Sequence, residues 1–106
     1  NRADYYYQTG RLAQALADYT AALAATPVLA PEHASKRRAA ILNDRAVTLA
    51  RLGRLEDAVA DQSEAIRLRP DRAAYYANRA RMLDQLGRAD AAALDWRRAR
   101  GAVTDR

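Results

Sequence analysis

The 106-residue chain has no cysteine, no phenylalanine, one histidine and one lysine, and each shortage removes a class of explanation. Without cysteine there is neither a disulfide framework nor a thiolate metal site, so a chain this small must gain its stability from packing. That suits a reducing compartment, and a cytoplasmic location is expected. With His33 as the sole imidazole, no His-Glu metal spacing and no glycine-rich phosphate loop, the sequence reads as non-enzymatic, with no cofactor and no metal. No run approaches the roughly 20 apolar residues that span a bilayer, and residues 1–10 lack the charged start and apolar stretch of a signal peptide. Only three prolines and four glycines interrupt the chain, so long helices form cheaply and the expected class is all-α. The first residue is Asn1 rather than Met, which reads as a piece of a longer protein.

Alanine dominates an apolar fraction of 50%, and 18 basic residues outnumber 13 acidic ones for a net charge of +5. A positive excess invites a nucleic-acid reading, because clustered arginines neutralise phosphates. Here the arginines are scattered along every expected helix and mixed with Asp and Glu, the pattern of a solvated exterior. Nucleic acid is therefore an alternative rather than the leading partner. The preference for Arg over Lys, with abundant Ala, is associated with G+C-rich bacterial genomes.

Self-similarity organises the chain. The stretches beginning at Ile41 and Tyr75 align at an offset of 34 residues: Arg45 with Arg79, Ala46 with Ala80, Leu49 with Leu83, Leu52-Gly53-Arg54 with Leu86-Gly87-Arg88, Ala58 with Ala92, Asp61 with Asp95, and Ala65 with Ala99. An earlier copy has Gly10, Ala15, Asp18, Tyr19, Ala22 and Pro27 at the same internal spacings, and Asn1-Arg2-Ala3 falls where Asn78-Arg79-Ala80 falls. Gly10 and Gly53 are 43 residues apart, so this junction holds nine extra residues, between Pro27 and Ala39. The single domain 1–106 thus divides into a truncated first unit (1–27), an insertion (28–38), a second unit (39–72) and a third (73–106).

Each unit reads as two helices joined at its glycine, which can take the left-handed conformation that ends a helix. Leu55, Ala58, Val59, Gln62, Ala65 and Ile66 follow the three-and-four rhythm of one buried face. Helices are expected over 1–9, 12–25, 31–52, 55–68, 71–86 and 89–103. The insertion reads as a helical extension rather than a loop, since Pro31 suits a first helical position and Glu32 the positive helix start. It carries the one compact basic cluster, Lys36-Arg37-Arg38. Tyr6 and Trp96 are expected in the core, Tyr7 accessible, and Tyr75 and Tyr76 between helices.

A 34-residue helix-turn-helix with glycine at the turn, alanine at the crossing points and proline after the second helix resembles the tetratricopeptide repeat (TPR). The likeness covers nearly the whole chain. Its departures are the clipped first copy, Thr104 in place of the last proline, Gln62 where a bulky aromatic is usual, and no capping helix after Val103. The resemblance implies a right-handed solenoid of antiparallel helix pairs, about 2.5 to 3 repeats, within an array that extends further in at least one direction.

It also implies a protein-protein interaction module whose first helices line a concave groove for a peptide or partner protein. By alignment the groove positions are Asp4, Tyr7 and Gln8 in the first unit, Asn43, Asp44, Val47 and Arg51 in the second, and Asn78, Arg81, Asp84 and Gln85 in the third. The clamp by which chaperone-binding members hold a terminal carboxylate is missing, because the positions that can be compared hold Asp4, Asp44, Ala74 and Asn78. Self-association through uncovered repeat ends is the remaining alternative.

Overall fold

The computed structural model describes the backbone of residues 2–25 and 32–104, and the side chains of residues 9–25 and 34–101. The described residues form five helices: α1 (Arg2–Ala25), α2 (Glu32–Arg51), α3 (Leu55–Leu68), α4 (Ala73–Gln85) and α5 (Ala89–Thr104). Helices α2 and α3 pair closely, as do α4 and α5, while α1 lies against α2 and α4 against α3. The result is a flat array with extents of 46 × 35 × 19 Å.

Glycine closes both hairpins. Gly53 has φ +86 and Gly87 φ +80, and no other described residue has a positive φ. Around the first turn, Arg54 N donates to Leu49 O at 2.9 Å and Gly53 N to Ala50 O at 3.0 Å; Arg88 N to Leu83 O at 2.8 Å and Gly87 N to Asp84 O at 3.0 Å repeat the pattern. These pairs of bonds satisfy the last carbonyls of α2 and α4 in the Schellman manner. After α3, Pro70 prevents continuation, and Tyr76 Oη donates to its carbonyl at 2.9 Å, tying the loop to α4.

Alanine sets the depth of packing. Ala46, Ala58, Ala65 and Ala80 have no exposure and Ala92 has 1%, which lets paired helices approach more closely than Leu would allow. Three apolar clusters follow the array. Leu23, Ala39, Leu42, Ala65, Ile66 and Tyr75 form the first, with Tyr76 packed beside it. Ala46, Leu49, Ala58 and Met82 form the second, and Ala80, Leu83 and Ala92 the third.

Two expectations need correction. The helices expected over 1–9 and 12–25 are one continuous helix, with Gly10 inside it. Glycine permits a turn but does not impose one; inside a helix it costs only about 1 kcal/mol relative to alanine. At Gly53 and Gly87 the residue before glycine is leucine, and at Gly10 it is Thr9. Trp96, expected in the core, is half-buried and packs at the margin of the third cluster.

The insertion does lengthen a helix: α2 begins at Glu32, about two turns earlier than the start of α4 would require. Of the basic cluster, Lys36 and Arg37 are exposed, whereas Arg38 is half-buried and donates to Leu23 O at 3.2 Å. Arg38 thereby serves a carbonyl in the last turn of α1, where a cation is favoured. The expectation for Tyr6 and Tyr7 lies outside the described side chains, as does His33.

Candidate functional site

The first helices of the two hairpins, α2 and α4, touch along one edge with α3 packed behind them. Beside the apolar clusters they share, their contact has a polar part that centres on Asn43. Its Oδ1 accepts from Gln62 Nε2 and from Asn78 Nδ2, both at 2.9 Å, so one carbonyl oxygen joins α2, α3 and α4. Asn78 Oδ1 accepts from Arg81 Nη1 at 2.9 Å, and the Arg81 guanidinium lies 5.7 Å from the centre of the Trp96 ring. That distance is within cation–π range. Trp96 Nε1 then donates to Asp84 Oδ2 at 3.2 Å. A continuous polar path therefore runs from the interior of α3, across α2 and α4, to α5.

Gln62 explains its own departure from the usual aromatic. It is fully buried, and its amide reaches Asn43 where a ring would fill space. The cost is a buried Oε1 with no partner among the described atoms, a loss of about 1–3 kcal/mol for an acceptor removed from water.

Of the expected groove residues, Asn43, Asn78, Arg81 and Asp84 are brought together by this path. Asn43 and Asn78 spend their amides on one another and on Gln62 and Arg81, so they organise the surface rather than standing open on it. Asp44 lies beside Asn43, whose Nδ2 approaches its Oδ1 at 3.5 Å, and Asp44 O accepts from Thr48 Oγ1 at 2.9 Å. Val47 is half-buried, and Asp44, Arg51, Arg81, Asp84 and Gln85 are exposed. Asp4, Tyr7 and Gln8 lie outside the described side chains. The hairpin expected to carry them is not formed, because α1 runs straight through Gly10.

Two arginines aligned in the sequence are half-buried and paired within their hairpins. Arg45 Nε and Nη2 donate to both carboxylate oxygens of Asp61 at 2.6 and 2.9 Å, and Arg79 makes the same two bonds to Asp95 at 2.7 and 2.8 Å. Each pair crosses its hairpin behind the face just described. The hydrogen bonds donated to Asp61 and Asp95 hold both guanidinium pKa values above the usual arginine range, against the opposing effect of burial. Sequence reasoning aligned these four residues without pairing them. The available signal was an arginine sixteen residues ahead of an aspartate in each hairpin, bracketing the glycine. Their internal use removes two cations from any basic surface. Among the described residues, no group of three or more His, Cys, Asp or Glu side chains is arranged to hold a metal ion.

Paired helices, glycine-closed turns and alanine crossings define a helical-repeat solenoid. The family model described as tetratricopeptide repeat matches residues 1–71 and again 43–102, and the chain belongs to this family. Its repeats are generally protein-protein interaction modules and typically non-catalytic scaffolds. No curated protein matches the sequence. Among the described residues no helix is long and apolar enough to cross a membrane.

Proposed function

We propose that the face presented by α2 and α4 binds a peptide or a segment of a partner protein, in the manner of the concave groove of a repeat solenoid. The observation that carries this reading is the side-chain path Gln62–Asn43–Asn78–Arg81–Trp96. It fixes two adjacent helices relative to one another before any ligand arrives. A surface ordered in advance loses little entropy on binding. The exposed side chains on and beside the path, Asp44, Arg51, Arg81, Asp84 and Gln85, mix acceptors with donors and negative with positive charge. Such a face selects a ligand by polar register rather than by one deep pocket.

Selection of peptides from a random library against the chain tests the reading. Selected peptides are expected to lose about tenfold or more in affinity to Arg81→Glu and to Asp44→Lys. Failure to select any peptide, or unchanged affinity for both variants, would overturn it.

A further inference from the structure

Behind the α2–α4 face the repeat builds the same cleft twice. The first lies over α2, between α1 and α3, and the second over α4, between α3 and α5. Their floors agree position by position. In the first, Arg45 reaches Asp61 and Thr20 Oγ1 beside Leu49; in the second, Arg79 reaches Asp95 and Ser63 Oγ beside Leu83.

Their rims differ. At an offset of 34 residues, Asp57, Ala60 and Glu64 of α3 become Ala91, Leu94 and Arg98 of α5. Asp57 accepts from Arg54 Nη2 at 2.8 Å and Glu64 from Arg67 Nε at 2.9 Å, so the acids of the first rim are paired. In the second cleft Leu94 is 52% exposed, the one exposed large hydrophobic side chain among the described residues, and Val59 and Ala91 continue its apolar wall. Arg98 Nη1 stands 4.0 Å from Asp95 Oδ1, beyond hydrogen-bond range, with its side chain 58% exposed. Asp95 already accepts two bonds from Arg79, so this cleft holds two cations against one carboxylate. Exposure belongs to these positions even where another helix follows: with α4 packed against α3, Ala60 is exposed and the Glu64 side chain keeps 38% of its surface.

We propose that the cleft between α3 and α5 docks a short segment of another protein, which inserts one large aliphatic side chain among Val59, Leu83, Ala91 and Leu94 and sets a neighbouring carboxylate against Arg98. A space of about 220 Å³ is smaller than the roughly 300–1,000 Å³ of small-molecule pockets and suits a single side chain. That side chain is aliphatic because the wall it meets is apolar, and covering Leu94 removes exposed hydrocarbon from water. The acid follows from Arg98, whose charge the cleft leaves unmatched and which stands four residues from Leu94, on the same face of α5. The site is separate from the α2–α4 groove and requires no ligand there.

The test uses the chain with its leucine and valine methyl groups labelled for NMR, and a capped Gly-Ser decapeptide with Leu-Glu-Glu at its centre. The peptide is expected to shift the Val59, Leu83 and Leu94 methyl signals saturably, and to bind about tenfold more tightly than versions carrying Leu-Lys-Lys or Ala-Glu-Glu. The Leu16 and Leu49 methyls, in the first cleft, should stay in place. In the Arg98→Glu chain the Leu-Lys-Lys peptide should become the tighter binder, an outcome that only a folded chain can give. Equal shifts in both clefts, no saturable shift at Leu94, or a preference that survives charge reversal would overturn the proposal. Shifts confined to Val47 would do the same by placing the peptide on the α2–α4 face. So would Leu94 shifts that follow the chain's own concentration without peptide, which would make a second copy the occupant.

Discussion

The first helix and the two hairpins that follow carry the same signals, yet only the hairpins close. Around Gly53 and Gly87 the chain reverses, and an arginine meets an aspartate sixteen residues later. Around Gly10 the spacing from Arg2 to Asp18 is the same, but α1 is one continuous helix, and sixteen residues of helix put about 24 Å between their backbones. Asp18 is exposed, whereas Asp61 and Asp95 are buried. Ala15 is half-buried, whereas Ala58 and Ala92 are almost fully enclosed. The difference teaches that a repeat signature encodes a hairpin conditionally. A turn-permitting glycine becomes a turn when both arms find a surface to bury.

The largest effect expected from this contrast lies in the three aspartates. Asp95→Ala leaves Arg79 without its bidentate partner in a site where the carboxylate side chain is 3% exposed, and should cost about 3 kcal/mol. Asp61→Ala, at 12% exposure, should cost about 2 kcal/mol. Asp18→Ala should stay within about 0.5 kcal/mol of the parent. Denaturant unfolding of the three variants gives the order, and three equal losses would mean that α1 closes a hairpin of its own in solution.

Next in size are the glycines, where the sign itself should change. Gly53→Ala and Gly87→Ala meet no crowding within 4 Å, so their cost is the left-handed backbone alone, about 1–2 kcal/mol. Gly10→Ala also meets open space, but inside a helix, and should stabilise the chain by about 0.5–1 kcal/mol. Thermal melts of the single variants check this, and a destabilising Gly10→Ala would show that the chain bends there.

The smallest effect concerns acid stability. The hydrogen bond from Arg67 holds the Glu64 carboxyl below its ordinary pKa. With the folded pKa depressed, the pair's contribution is present above the unfolded value and is lost as pH falls through the folded one. Because the pair is solvent-exposed, Glu64→Gln should flatten only slightly the decline of melting temperature with acid, and added salt should erase the difference.

Much of the fold was legible in the sequence. The α3 range, the turns at Gly53 and Gly87, the alanine crossings and the helical insertion all follow from spacing and local propensity. That Asn43 and Asn78 stand on the first helices of their units was legible from the 34-residue repeat. Their use was not legible. That Asn43 serves α3 and α4 at once depends on Gln62 standing nineteen residues away in sequence and 2.9 Å away in space. Trp96 was misjudged as well: the equivalent Gln62 is fully buried, whereas Trp96 is half-buried and carries a hydrogen bond to Asp84.

By itself the sequence determined an all-α repeat, the places where its helices can turn and the small residues on which they cross, because these are properties of single residues and their periodicity. Only the tertiary structure decided which glycines turn. It also decided which arginines are spent on Asp61 and Asp95. Those outcomes depend on what each side chain meets from a neighbouring helix, and that is fixed by packing between elements rather than by spacing within one.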